Sequence, residues 1–317
     1  MADKLIVSSS PHQRSGITTR KIMLDVIIAL VPAAIASVII FGPQALLLIA
    51  VSVGTCVLSE YAARRVMKRE STISDLSAVV TGILLAFNVP VGINPVALAF
   101  GGVVAIVVVK QMFGGIGQNF VNPALTARII LMSSFPSQMS TWATPFYYLH
   151  KTDAMTSASP LNVLKTGAEG TMPTLLNLFA GVRAGSLGET CAVALILGGI
   201  YLVVRKVISP TIPLCYLGTA AVISLIAGRN VAFDLLAGGL LLGAIFMATD
   251  YSTSPINEKG RIVYAVGAGV ITMLIRIFGA LPEGVSFSII LMNILVPHIE
   301  RLTRPRAFGK ERVKNEN

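Results

Sequence analysis

Residues 22–41 read IMLDVIIALVPAAIASVIIF, twenty positions interrupted only by one carboxylate, Asp25, and one proline, Pro32. At about 1.5 Å of helical rise per residue, such a run spans the roughly 30 Å of hydrocarbon in a bilayer. It follows a polar, basic opening, MADKLIVSSSPHQRSGITTRK, in which no signal peptide is visible. Nine further apolar runs follow, at about 44–61, 74–90, 95–111, 121–136, 187–204, 208–228, 232–250, 262–280 and 285–303, several of them short or broken by Gly and Pro. Composition points the same way. The 317 residues are 54% hydrophobic and 13% charged with mean hydropathy +0.77, where a soluble domain carries about 25% charged residues. The fold expected is a single all-α polytopic membrane domain of about ten transmembrane helices. Its divisions are a cytoplasmic segment at 1–21, helices one to five in 22–136, an outer loop at 137–186, helices six to ten in 187–303, and a cytoplasmic tail at 304–317.

The net charge of +10 has a topological meaning. With ten alternating spans, one face collects Lys4, Arg14, Arg20, Lys21, Arg64, Arg65, Lys68, Arg69, Lys110, Arg205, Lys206, Lys259, Arg261 and the basic tail, 19 of the 25 Lys and Arg residues. The opposite face holds Lys151, Lys165, Arg183 and Arg229, while Arg128 and Arg276 fall inside helices. The positive-inside rule puts the richer face, and both termini, in the cytoplasm. The basic excess is thereby accounted for by lipid topology, and no nucleic-acid partner is expected. Trp142 and Tyr147-Tyr148, in the outer loop, read as interface anchors. The three cysteines (Cys56, Cys191, Cys215) stand singly in apolar runs and read as packing residues without metal-ligand spacing.

Two stretches look like copies. Ser74-Asp75-Leu76 opens one apolar run and Phe233-Asp234-Leu235 opens another; each is followed by a further helix and a similar exit, Phe113-Gly114-Gly115 and Phe278-Gly279-Ala280. The spacing from Asp to Phe is 38 residues in the first and 44 in the second. Because the third and eighth spans run in opposite directions, the copies form an inverted repeat, an arrangement that places sites where interrupted helices meet. Chance likeness among Gly-, Ala- and Leu-rich helices is the alternative. Asp25, Arg128, Asp234 and Arg276 lie within or near apolar helices, where an ionisable group costs at least ~2.5 kcal/mol and so seeks a partner or water. Asp75, Asp234 and Asp250 stand as candidates for a cation path, and Arg128 either pairs with an acid or steers an anionic group, or is a structural residue that snorkels or satisfies backbone carbonyls.

Two polar motifs remain. Asp153-Ala154-Met155-Thr156-Ser157-Ala158-Ser159-Pro160-Leu161 is a hydroxyl-rich island in the outer loop. Ser159-Pro160 has the form of a helix N-cap followed by a first-turn proline, where free amides favour an anion at the hydroxyl. The same composition is also ordinary loop punctuation. The second motif, Lys110 to Ala124, contains Gly114, Gly115, Gly117, Asn119 and Asn122-Pro123. It reads either as a turn able to meet the polar edge of a heterocycle or as a tight cytoplasmic turn whose Asn residues cap the fifth helix.

Both motifs resemble those of the RnfD and NqrB membrane subunits, and within that family the chain is closer to RnfD, lacking the long N-terminal extension of NqrB. The first is similar to the flavin-attachment motif, in which FMN is esterified through its phosphate to a final Thr. Carried over, Asp153 matches the Asp, Thr156, Ser157 and Ala158 match the middle, and Ser159 matches the acceptor, with Ser in place of Thr; Thr156 is the rival acceptor. The second resembles the family's Gly-Gly-x-Gly-x-Asn-x-x-Asn-Pro-Ala run, which implies a second, non-covalent flavin such as riboflavin near Gly114, Gly115, Asn119 and Asn122. The resemblance implies membership of an Rnf-type complex in a prokaryotic inner membrane, moving electrons between ferredoxin and NAD with export of Na⁺ or H⁺. Partner subunits and a flavin transferase follow from it, with the flavin loop on the outer face and no nucleophile or metal site in this chain. A passive channel or carrier for a small polar solute is the alternative, and it leaves Asp153 to Ser159 without a role.

Overall fold

The computed structural model describes residues 16–149, 156–157, 161, 173–279 and 283–305. Asp153, Ala158 and Ser159 lie outside the described residues. A first group of helices comprises α1 (Thr19–Phe41), α2 (Pro43–Val66), α3 (Ser77–Phe87), α4 (Pro95–Val103, prolonged as a π-helix over Val104–Gln111) and α5 (Pro123–Ser134). The short α6 (Pro136–Ser140) and α7 (Leu175–Ala180) belong to the long connection. A second group comprises α8 (Ala192–Val204), α9 (Thr211–Ile226), α10 (Val231–Leu236), α11 (Leu240–Leu242, prolonged as a π-helix over Gly243–Met247), α12 (Glu258–Phe278) and α13 (Val285–Thr303). Four of these, α1, α2, α12 and α13, are long and apolar enough to cross a membrane by themselves.

Local chemistry sets the helix starts. Asn94 and Asn122 each accept a backbone N–H bond at the head of α4 and α5, and each is followed by a proline at the first helical position. The ends match a chain that crosses repeatedly. Phe146 N–H donates to Ile40 O, and Leu187 and Gly188 N–H donate to Val89 and Phe87 O, gathering one set of loops. Tyr251 donates to Val207 O, and Ile256 N–H to Glu300, at the other end.

Within each group the helices pack closely, α2 on α3 and α4, and α9 on α12 with α12 on α13; α1 on α8 joins the groups. Small residues permit this in lipid, where apolar burial alone does not drive helices together. At Gly269 of α12 a Cβ would stand 2.7 Å from Thr219 Cβ and 3.1 Å from Tyr216 O of α9.

Two expected spans are not continuous. The run 74–90 forms a single 3₁₀ turn, Ile73–Asp75, then a left-handed Leu76 (φ 64°), then the 11 residues of α3. The run 232–250 is cut between α10 and α11 at Ala237-Gly238-Gly239, with Gly238 also left-handed (φ 70°). The two interrupted helices therefore carry matching breaks, and these lie at opposite ends of the molecule.

Candidate functional site

The inner break is a buried polar network centred on Glu60. Glu60, fully buried in α2, accepts from Lys110 Nζ at 2.9 Å, from Gln111 Nε2 at 2.9 Å and from Thr72 Oγ1 at 2.6 Å. Lys110 also reaches Ser77 Oγ at 2.6 Å, and Asp75 accepts from the Ser77 N–H, the first of α3, at 2.8 Å. Lys110 and Gln111, consecutive at the π-helical end of α4, both reach Glu60. Sequence reasoning misses Glu60, although an acid inside an apolar run is the available signal.

Beside this network lies a cavity of roughly 100 Å³, lined in part by Ser77, Thr81, Lys110, Asn119, Asn122 and Asp250. It adjoins a wider groove of about 500 Å³ past Ile116, Gly117 and Asp250. Gly114, Gly115 and Gly117 have positive φ as expected of the turn, but Gly114 and Gly115 do not line the cavity. Asn122 caps α5 through Ala124 and Leu125 N–H and donates to Met247 O of the second group, so both ends of its amide are engaged. Asn119 donates to Val121 O. In the turn that follows the π-helix of α11, the Asp250 carboxylate accepts from the Ser252 and Thr253 hydroxyls.

The outer break is a second buried polar centre, built differently. Arg128 of α5 donates to Asn88 Oδ1 at 3.0 Å, to Ser286 Oγ at 3.1 Å and to the Glu283 carboxylate. Arg183 donates to Glu189 O at 2.6 Å, and Arg276 of α12 donates to Asp234 O at 2.5 Å and to Ala237 O at 3.2 Å. Glu189, in the loop ahead of α8, accepts from the Ser186 N–H at 2.9 Å. Its carboxylate lies against Gly239, among the Arg128, Arg183 and Glu283 side chains. Of the intramembrane charges read from sequence, Arg128 and Arg276 meet here. Asp234 pairs instead with Arg229 at 2.9 Å and with Ser224 at 2.7 Å. Asp25 receives Tyr201 at 2.8 Å and, more distantly, Arg205 at 3.4 Å.

The loop that carries the hydroxyl-rich motif is described at a few points. Thr156–Ser157 form a two-residue strand paired antiparallel with Trp142–Ala143, in the register Trp142 to Ser157 and Ala143 to Thr156. Trp142 is buried in the protein and not presented as a lipid-interface anchor, whereas the half-exposed Tyr148 donates to Ile39 O at 2.8 Å. Leu161 is buried against the outer break: a Cβ placed on Gly238 would meet Leu161 Cδ1 at 2.6 Å and Arg276 Nη2 at 3.1 Å.

This architecture defines a multi-pass helical membrane protein of two joined groups, each with an interrupted helix and a buried charged centre. The chain belongs to the NQR2, RnfD, RnfE family, whose model matches residues 6–309. It is 47% identical over 314 residues, 98% of each chain, to the D subunit of the Na⁺-translocating ferredoxin:NAD⁺ oxidoreductase complex of Acetobacterium woodii. It is 41% identical, over 96% of each chain, to the D subunit of the proton-translocating ferredoxin:NAD⁺ oxidoreductase complex of Clostridium ljungdahlii. To the D subunit of the ion-translocating oxidoreductase complex of Stutzerimonas stutzeri it is 37% identical over 92% of each.

Proposed function

We propose that this chain is the D-type membrane component of a complex that passes electrons between ferredoxin and NAD⁺ and couples that transfer to Na⁺ or H⁺ translocation. It is a non-autonomous part of an oxidoreductase, working with other membrane and peripheral subunits. The observation that carries this reading is similarity over almost the full length of two relatives so named, at 47% and 41% identity. Both termini lie in the cytoplasm and the 137–186 loop faces outward, by the distribution of Lys and Arg.

Within that role the chain carries FMN, joined through its phosphate to Ser159, with Thr156 as the rival position. Buried guanidinium groups with spare donors beside Leu161, two residues beyond Ser159, fit an anionic phosphoryl group at this place. FMN bound there supplies one-electron relay chemistry, and the chain's part is to hold and orient it. Attachment requires a flavin transferase. A second, non-covalent flavin at the inner turn is the weaker half of the proposal. The deep cavity of roughly 100 Å³ is too small for a ligand of that size, and only the adjoining groove of about 500 Å³ falls in the range of small-molecule sites.

The test is flavin fluorescence of the denatured polypeptide on a gel. A fluorescent band that survives denaturation is expected, retained in Thr156→Ala and lost in Ser159→Ala. A dark band from cells able to attach flavin removes the ester and leaves the passive-carrier reading open.

A further inference from the structure

Five charged side chains converge on the Gly238-Gly239 break. A Cβ on Gly238 would stand 3.1 Å from Arg276 Nη2 and 3.7 Å from Glu283 Oε1, and one on Gly239 would stand 3.1 Å from Glu189 Oε2 and 3.7 Å from Arg128 Nη1. Arg183 Nη2 lies 3.5 Å from Gly238 O. Arg128, Arg183 and Arg276 are 4%, 3% and 2% exposed, so water does little to screen them. Guanidinium groups keep their proton. Three fixed cations thus face two carboxylates, and Asp234, the next acid, is already held by Arg229 and Ser224.

The hydrogen-bond accounting is lopsided in the same sense. Among the described residues, seven buried side-chain polar atoms have no partner, and five of them belong to this centre: Arg128 Nε, Arg183 Nε, Arg276 Nε, Ser186 Oγ and Glu283 Oε1. Three are obligate donors, one is a hydroxyl, and only one is an acceptor. Buried groups left this way in a native protein call for an occupant. The occupant that suits surplus positive charge and spare N–H donors is an oxyanion. With no side chain on either glycine, the Leu161, Arg276 and Glu189 side chains come right up to this backbone.

We infer that the Gly238-Gly239 break is an oxyanion site, in which Arg128, Arg183, Arg276 and Ser186 receive the phosphoryl group of the flavin carried by the outer loop. The assignment to that particular phosphoryl rests on the flavin-ester reading above; the oxyanion site itself rests on the side chains. These residues position the group and act on no bond of it.

The test uses the full chain with Thr156→Ala and Ser159→Ala, which removes both candidate attachment hydroxyls. Purified in detergent, it is titrated with free FMN and with riboflavin, which differ by the phosphoryl group alone, and flavin fluorescence quenching is read. Hydrogen bonds to charged groups predict FMN binding at least about tenfold tighter than riboflavin, with inorganic phosphate abolishing the difference. Arg183→Gln is expected to bring the two ligands within about twofold, Arg183→Lys to keep part of the preference, and the milder Ser186→Ala to lose about threefold. Equal affinity for FMN and riboflavin in the parent chain overturns the site. The unsubstituted chain on a denaturing gel separates the two readings. A dark band with FMN preference intact removes the ester but keeps the oxyanion site, and a fluorescent band without the preference does the reverse.

Discussion

The two breaks share a plan and differ in their chemistry. In each group an interrupted helix is reached by a basic residue near the end of the helix that follows it: Lys110 from the π-helical end of α4 at the Leu76 break, Arg276 from α12 at the Gly238 break. At the inner break one cation meets one buried acid, Gln111, Thr72 and Ser77 bond to the pair, and two polar atoms, Gln111 Oε1 and Arg64 Nε, are left over among the described residues. At the outer break three cations meet two acids and five polar atoms are left over among the described residues. The difference teaches that a repeated scaffold can hold a matched ion pair at one end and a surplus of buried donors at the other.

Removing Lys110 should break the comparison most sharply. Lys110→Met leaves Glu60 buried and unpaired, a loss of about 3–5 kcal/mol, visible as a large fall in melting temperature in detergent. Adding Glu60→Gln should recover most of it. Arg183→Gln in the flavin-free chain should do far less, because it relieves surplus positive charge. Equal losses at the two ends would erase the distinction.

How much of this is legible in the sequence depends on how far apart the partners lie. The Asn122-Pro123 start of α5 is readable because its capping bonds stay within three residues. The apolar runs mark the spans, and the Asp75 and Asp234 copies mark the paired breaks, since those signals are local too. The ion pairs are not readable as pairs: Lys110 and Glu60 are 50 residues apart, and Arg128 and Glu283 are 155 apart. Glu60 and Glu189 each sit in plain view inside an apolar run without a visible partner. The Gly238-Gly239 pair announces a break, whereas Leu76 does not, because leucine is a poor residue for the left-handed backbone it adopts.

That contrast yields a further prediction. Gly238→Ala forces a side chain into left-handed backbone and against Leu161, and should cost about 1–2 kcal/mol. At Leu76, where the strain is already present, Leu76→Gly should raise stability by up to about 1 kcal/mol through the same backbone effect, less any apolar packing lost. Thermal unfolding of both variants tests whether the two breaks are backbone equivalents.

The smallest effect is the most discriminating. Thr72 donates to Glu60 at 2.6 Å in the inner network, so Thr72→Val should cost about 1 kcal/mol as one hydrogen bond to a buried carboxylate is lost. Ser186 is equally polar and more deeply buried, but its hydroxyl has no partner among the described residues. Ser186→Ala removes a group whose desolvation is uncompensated in the flavin-free chain, and should leave stability within about 0.5 kcal/mol or raise it slightly. In the flavin-bearing chain the same substitution should become destabilising. The sign change with occupancy belongs only to a centre completed by its ligand; a Ser186→Ala cost equal to that of Thr72→Val in both forms would put the outer break on a par with the inner one.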